Sequence, residues 1–361
     1  MENKTWLSRA ECSALRGIAI LGIMLHNFCH WLSIPAKENE YLYRVSNNEG
    51  LLGILAHPDA MLPINLVSYF GHYGVPVFLF LSGYGLVMKY GDRPDLPVFR
   101  FIRYHYLKLL TMLFTGFAAF TLVDLATPRP FHYTAGNIIA QLLMYINLLP
   151  WPSRSIWPGP YWFFGLMIQL YIVYRLFIHR RGPAVVVGLV LVCWLLQAVC
   201  GPEDETLRRL RYNCVGGMLP FCAGVLLGRS RPAAWMQCFR RWQWALLCMA
   251  TMGVLSLMCF NFQTWLWAPL FAVAATVFFV KSLPAVALPP LLWTGGVSAV
   301  MFVTHPIARK IFIPVSLNGE VYAGLLLYII GVVAIAGVFE LLMDKIPKPK
   351  SPIRSSQGEE K

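Results

Sequence analysis

Long apolar runs recur along almost the whole chain, and they constrain its fold more than any other feature. Ten of them approach the roughly 20 residues that a transmembrane helix needs. They are Cys12–Leu32, Leu66–Met88, Tyr104–Leu125, Tyr161–Ile178, Pro183–Val199, Tyr212–Leu227, Trp242–Phe260, Thr264–Val280, Leu288–Pro306 and Val321–Met343. Only 13% of the residues are charged, against roughly 25% in an ordinary soluble domain. The pattern excludes a soluble globular protein and predicts an all-α, polytopic membrane bundle.

A shorter run, Asn137–Leu149, decides the topology of everything that follows it. If this run spans the membrane, the arginines of Arg175–Arg181 and Arg229–Arg241 all lie outside. If it is re-entrant or interfacial, they lie in the cytosol, as the positive-inside rule favours. We therefore predict ten transmembrane helices plus one short re-entrant or interfacial helix, with both termini in the cytosol.

The net charge of +13 is carried by short basic clusters between apolar runs, with no continuous basic arm. Such clusters are typical of membrane topology signals and of lipid contact, and we expect no nucleic-acid partner. Residues 1–345 are assigned to one integral-membrane domain, and residues 346–361 to a short, basic, disordered cytosolic tail. The polar segment Ser33–Pro63 is expected outside, either as an ordinary surface loop or as a lid over a site.

The nine cysteines show no spacing typical of a metal cluster. Most lie in or beside apolar runs and are expected to be small packing residues. A disulfide between Cys200 and Cys214 across a short outer loop stays open as an alternative.

Ionisable residues inside apolar runs are costly in a bilayer, so they mark candidate sites. The first run carries Arg16, His26 and His30. Arg16 and His26 are about 15 Å apart along a helix axis, which puts Arg16 near the cytosol and His26 in the outer half. His26 and His30 share a helix face, but no clear third ligand follows. We therefore expect a proton-handling histidine and no metal site.

Two further histidines are predicted on the outer side. His72 begins the second span, where an interfacial role and a functional role fit equally well. His305 closes the run Leu288–Pro306, and a histidine beside a proline at a helix end favours a plain interfacial role.

A basic cluster follows the second span on the predicted cytosolic side. It comprises Arg93, Arg100, Arg103, His105 and Lys108. Such a cluster can determine topology and contact anionic lipid. It can also bind a phosphorylated cytosolic ligand, because arginine and lysine recognise phosphate.

Four short motifs occur in order along the chain. They are Arg16-Gly17 followed by His26, a Phe-rich segment ending in Ser82-Gly83-Tyr84, the aromatic Trp162-Phe163-Phe164, and Gly295-Gly296-Val297-Ser298 leading to His305. Together they cover roughly residues 12 to 306. They resemble acyltransferase family 3, the multi-span membrane acyltransferases that modify sugars and other extracytoplasmic acceptors.

The resemblance implies transfer of an acyl group, most often acetyl from cytosolic acetyl-CoA, to a hydroxyl of an extracytoplasmic or lipid-linked glycan. A bacterial cytoplasmic membrane is the expected location. His26 is expected to act as general base or as an acylated nucleophile, and Arg16 to orient the CoA side.

The other site residues are assigned by the ligand that each would contact. Those for acyl-CoA are Arg103, Lys108, Tyr84 and Trp162, and those for the acceptor are His72, His305 and Tyr161.

A transporter that moves a lipid-linked sugar or small solute without forming a bond is the competing class. Its intramembrane histidine and arginine residues would then relay protons. An inverted repeat would favour a transporter, and the sequence has no convincing internal repeat. The enzyme interpretation is therefore preferred.

Overall fold

The structure is a computed structural model that describes residues 5–91, 93–94, 96–232 and 234–352. Within these ranges the chain is all helical and contains no strand, which confirms the predicted all-α class. The predicted disordered tail is described only as far as residue 352, and residues 353–361 lie outside the described ranges.

The first part of the chain begins with a capping box. The Ser8 hydroxyl accepts a hydrogen bond from the backbone of Glu11, and the Glu11 carboxylate accepts one from the backbone of Ser8, so the helix start is well satisfied. The helices that follow are α1 (Arg9–Cys29), α2 (Val45–Ala56), α3 (Leu62–Phe70), α4 (Gly74–Tyr90), α5 (Val98–Ala126), α6 (Ala135–Leu142), α7 (Pro152–Ser155) and α8 (Trp162–Val173).

The second part continues the bundle. Its helices are α9 (Pro183–Ala198), α10 (Glu205–Arg211), α11 (Cys214–Arg229), α12 (Arg241–Met258), α13 (Phe262–Trp265), α14 (Ala268–Ser282), α15 (Leu288–Gly296), α16 (Ser298–Leu317) and α17 (Val321–Asp344). One short helical turn joins α3 to α4, and another extends α8 to Ile178. The two resulting spans are Leu62–Tyr90 and Gly159–Ile178.

Within the described ranges, six spans are long and apolar enough to cross a membrane, or up to eight if each of two bent helix pairs counts as one. The predicted count of ten is therefore not supported. Among the described helices, α9 is apolar but only 16 residues long. The predicted short run contains α6, which has eight residues and a length of about 12 Å, less than half the hydrocarbon core of a bilayer.

The predicted span Leu288–Pro306 is wrong. The chain bends by 117° between α14 and α15, and a new helix, α16, starts at Ser298 and continues through Pro306 to Leu317. Pro306 and Pro314 lack a backbone N–H and so remove hydrogen bonds from this helix, yet the helix continues past Pro306. In the same turn, the ring of His305 bonds to the carbonyl of Met301. His305 is therefore mid-helix and fully buried, and it does not lie at an interfacial helix end.

The bundle has two chemically different ends. At the end that we call the basic end, Tyr84 of α4 bonds to Leu7 in the segment before α1, and Trp6 bonds to Ser230. The basic residues at the start of α5 follow α4 at this end. At the opposite end, which we call the cavity end, α1 reaches His26 and meets α3 and α4.

Candidate active site

A cavity of about 190 Å³ lies at the cavity end, between α1, the segment after it, and the starts of α4 and α8. Its wall combines titratable, cationic and aromatic side chains. Prominent among them are His26, His30, His72, Glu38, Glu40, Arg309, Trp31, Tyr41, Trp157, Trp162 and Tyr212. A concave site with many aromatic rings and a few convergent polar groups is the usual form of a small-molecule site.

His26 is held in one orientation by the backbone. Its Nδ1 lies 2.9 Å from the carbonyl oxygen of Ser68, and because a carbonyl only accepts, Nδ1 must carry the proton. Nε2 therefore has the free lone pair. A Cβ on Gly71 would lie 2.7 Å from the Cβ of His26, so glycine at this position allows α1 to approach α3 and the turn that carries His72.

Three histidine rings lie close together at this site. The centroid of the His26 ring is 5.0 Å from that of His30 and 5.7 Å from that of His72. Both ring nitrogens of His72 are buried and have no hydrogen-bond partner in the described part of the chain. Such unpaired buried groups are costly, so His72 is available to a ligand.

Glu38 comes from the segment after α1 and joins the histidine cluster. Its Oε1 lies 3.2 Å from Nδ1 of His30. His26, His30 and Glu38 offer ligand atoms that all lie within 4.8 Å of one another. The structure thus supplies the third ligand that the sequence did not reveal, in a two-histidine, one-carboxylate set suited to a divalent metal. The same set can also act as an acid–imidazole relay, because Glu38 already bonds to His30.

Two carboxyl groups of this segment have opposite electrostatics. Burial opposes the ionisation of Glu38, but the hydrogen bond from His30 and the neighbouring imidazoles outweigh it and lower the pKa of Glu38 to about 2. Burial and the nearby Glu38 charge raise the pKa of Glu40 to about 8. At neutral pH the cavity therefore contains one carboxylate and one mostly protonated carboxylic acid.

Of the residues predicted from sequence, the structure brings His26, His72 and Trp162 together in the cavity wall. Trp162 lies edge-on to the rings of Tyr41 and Tyr212. The sequence assigned it to acyl-CoA, whereas the structure puts it beside the groups assigned to the acceptor.

The other two residues that the sequence assigned to the acceptor, His305 and Tyr161, do not line the cavity themselves. His305 is on α16 between the lining residues Phe302 and Arg309, with its Nε2 buried and unpartnered in the described chain. The hydroxyl of Tyr161 donates to the carbonyl of Val303 at 2.7 Å. Tyr161 is fully buried and connects the start of α8 to α16.

Apart from Trp162, the residues assigned to the CoA side do not line the cavity that contains His26. Arg16 is exposed near the start of α1, and the Tyr84 hydroxyl is occupied by the backbone of Leu7. Arg103 lines an open groove of about 720 Å³ together with Arg100 and residues 347–352. Lys108 is exposed farther along α5.

Sequence reasoning missed three groups of the cavity wall: Glu38, Glu40 and Arg309. Glu38 and Glu40 lie in the polar segment Ser33–Pro63 and Arg309 lies beyond the run Leu288–Pro306, so none of them is an ionisable residue inside an apolar run. The sequence feature that could have indicated Glu38 and Glu40 is the length of the segment Ser33–Pro63, which is sufficient to cover a site. Cys200 and Cys214 are thiols in the structure and form no disulfide.

The family comparison covers nearly the whole chain. The profile of a family described as an acyltransferase domain matches residues 10–341. Comparisons with curated proteins and with solved structures give no match. The chain therefore belongs to this acyltransferase family, and it is an integral membrane enzyme of the O-acyltransferase type.

Proposed function

We propose that the enzyme transfers an acetyl group from cytosolic acetyl-CoA to a hydroxyl of an extracytoplasmic or lipid-linked glycan. It would reside in a bacterial cytoplasmic membrane with both termini in the cytosol. The observation that carries this proposal is His26, oriented by the Ser68 carbonyl inside an aromatic cavity at the end of the bundle opposite the basic cluster.

His26 acts as general base in this proposal. Its Nε2 takes the proton from the acceptor hydroxyl while the oxygen attacks the acetyl carbonyl carbon. The new C–O bond forms, the C–S bond of the thioester breaks, and the protonated His26 returns its proton to the departing CoA thiolate. The Glu38 carboxylate stabilises the imidazolium through its proximity to His30 and His26.

The aromatic wall is suited to the acceptor. Sugar rings present flat C–H faces, and the rings of Trp162, Tyr41 and Tyr212 offer rigid apolar surfaces with polar tips. His72, with both ring nitrogens unpartnered, is available to hydrogen-bond a sugar hydroxyl. Tyr161 and His305 support this wall from behind.

The donor would approach from the basic end. Arg103 and Arg100 line the groove there with Lys348 and Lys350 of the chain after α17, and such a set favours the phosphates of CoA. Lys108 and Arg16 add positive charge on the same side, and the acyl arm would pass inward near Tyr84 towards His26. Donor and acceptor thus enter from opposite ends.

The test is His26→Ala, with the exposed His57→Ala as matched control. We expect His26→Ala to reduce acetyl transfer by roughly 100- to 10,000-fold, the usual contribution of a general base, while acetyl-CoA affinity is retained. Transfer is measured with labelled acetyl-CoA and membrane glycan extracts, and affinity by equilibrium binding in the same detergent. Full activity of His26→Ala would refute the mechanism, and absence of labelled product in the native protein would refute the proposed reaction.

Treatment with a chelator distinguishes two possible roles of the cluster formed by His26, His30 and Glu38, namely acid–base catalysis and metal binding. If His26 is a general base, prolonged treatment with EDTA leaves the transfer rate unchanged. Loss of activity that is restored by a divalent cation would instead assign His26, His30 and Glu38 to a metal centre.

A further inference from the structure

Arg309 is a buried cation in the cavity wall, and none of the described residues is its acidic partner. It is 4% exposed, and its Nη1 donates only to the backbone oxygen and the side-chain oxygen of Asn27, at 3.2 and 3.4 Å. No ion pair involves it in the described part of the chain. Burying a guanidinium with neutral partners alone costs free energy. A negatively charged group beside Arg309 would offset this cost, and no described residue of the site supplies one.

The next residue on α16, Lys310, is a cation that does have an acidic partner. Lys310 lies 2.8 Å from the carboxylate of Asp124. The two adjacent cations of α16 thus differ: Lys310 is neutralised within the protein, and Arg309 is left for something that enters the cavity.

The guanidinium is already oriented for a ligand. Its Cζ lies 4.7 Å from the centre of the Trp31 ring, and stacking of this kind holds the planar group in place. Only Nη1 is engaged by the protein. The remaining N–H groups are not among the buried unpartnered atoms, so they are accessible from the cavity that Arg309 lines.

The acidic groups of the cavity do not supply the missing charge. Glu38 is bonded to His30. Neither Glu38 nor Glu40 forms an ion pair with Arg309 in the described part of the chain.

We propose that Arg309 binds an anionic group of the acceptor, a carboxylate or a phosphate, and so makes the cavity selective for negatively charged glycans. Two parallel N–H groups of a guanidinium match two oxygens of either anion. The adjacent aromatic walls hold the sugar ring, and the hydroxyl to be acylated faces His26. This inference rests on the proposed function only in that the acceptor occupies this cavity.

The experiment compares three soluble probes with the same sugar ring: methyl glucoside, methyl glucuronide and glucose 1-phosphate. Binding to the purified protein in detergent is followed by tryptophan fluorescence, because Trp31, Trp157 and Trp162 line the cavity. We expect at least one charged probe to bind roughly 10- to 100-fold more tightly than the neutral probe, as charge-assisted hydrogen bonds do. The stronger of the two charged probes identifies carboxylate or phosphate as the anion.

Arg309→Gln should remove this preference and leave the affinity for methyl glucoside unchanged, while Arg309→Lys should retain part of it. Arg154→Gln removes a charge from an exposed position on the neighbouring α7 and should change nothing. The comparison of probes in the native protein decides the question even if Arg309→Gln does not fold.

Equal affinity of the native protein for all three probes, failure of all three to bind, or a preference that survives in Arg309→Gln would each overturn the proposal. If the preference survives in Arg309→Gln and this variant also lowers the rate of acetyl transfer in the separate assay with labelled acetyl-CoA, Arg309 is instead assigned to the oxyanion of the reaction. The titration contains no acyl donor, so its outcome is independent of the His26→Ala transfer assay.

Discussion

At the scale of single residues, the proposed mechanism depends on which nitrogen of His26 carries the proton. The Ser68 carbonyl accepts from Nδ1, so Nε2 is the nitrogen that can act as the proposed base. In this proposal the carboxylate that would support the imidazolium belongs to Glu38, in a segment that lies outside the first helix. The nearby Glu40 forms no ion pair among the described residues, and burial and the Glu38 charge raise its pKa to about 8.

Replacing Glu38 with glutamine tests this support. With a pKa of about 2, the Glu38 carboxylate stays ionised throughout any practical assay range. Its contribution to the rate is therefore measured by replacing the residue and not by changing the pH. We expect a loss of acetyl transfer of roughly 10- to 100-fold, as for a charged hydrogen-bond partner. The acid limb of the pH–rate profile should move to lower pH, because the imidazolium loses a neighbouring negative charge.

The matched control is Glu49→Gln, which removes an exposed carboxylate from α2 in the same outer segment and should leave both rate and profile unchanged. An unaltered pH–rate profile in Glu38→Gln would show that Glu38 acts only through local structure.

At the scale of helices, α4 and α11 pack backbone to backbone. The Ser82-Gly83-Tyr84 motif lies at this contact. A Cβ on Gly83 would overlap the carbonyl oxygen of Phe221, and a Cβ on Gly224 would overlap that of Phe80. Small residues of this kind allow membrane helices to pack backbone to backbone.

Gly224→Ala should therefore separate α4 from α11. We expect a decrease of about 1–3 kcal/mol in the free energy of unfolding, the usual cost of overpacking, measured by denaturation in detergent. Gly85→Ala, on the same α4 with no atom near its Cβ, is the control and should be neutral or slightly stabilising because alanine favours helix. Equal destabilisation by both changes would contradict the close-packing argument.

At the scale of the whole molecule, the two ends of the bundle have different side chains, and we propose different tasks for them. The cavity end carries His26 and the aromatic wall, and the basic end carries Arg103 and the groove formed with residues 347–352. Arg154 of α7 lies near the cavity, since Ser153 lines it. Arg231 follows Ser230, which bonds to Trp6 at the basic end.

Cysteine labelling tests this arrangement and its orientation. We expect a cysteine in place of Arg154 to react with a membrane-impermeant maleimide added outside, and one in place of Arg231 to react only from the cytosolic side. The exposed Cys238 is first replaced by serine, and this parent protein gives the background. Labelling of both positions from the same side would contradict the two-ended architecture, and exchange of the two sides would contradict the cytosolic termini.

The sequence by itself determined the membrane class, the all-helical fold and the family, because hydropathy and short motifs are local properties of the chain. Helix ends were less certain. Pro306 indicated the end of a span, yet α16 continues through it. Packing of α16 within the bundle holds the helix together although the proline removes a backbone hydrogen bond. The fully buried position of His305 follows from that continuation.

Only the tertiary structure decided which residues form the site. Arg309 bonds to Asn27 across 282 residues of sequence, and no local pattern connects these two positions. Glu38 reaches His30 because the segment after α1 folds back over the cavity. Local hydropathy dictates which segments enter the bilayer, whereas the counter-charges, hydrogen-bond partners and walls of the cavity depend on how distant segments pack, which is decided when all helices are assembled.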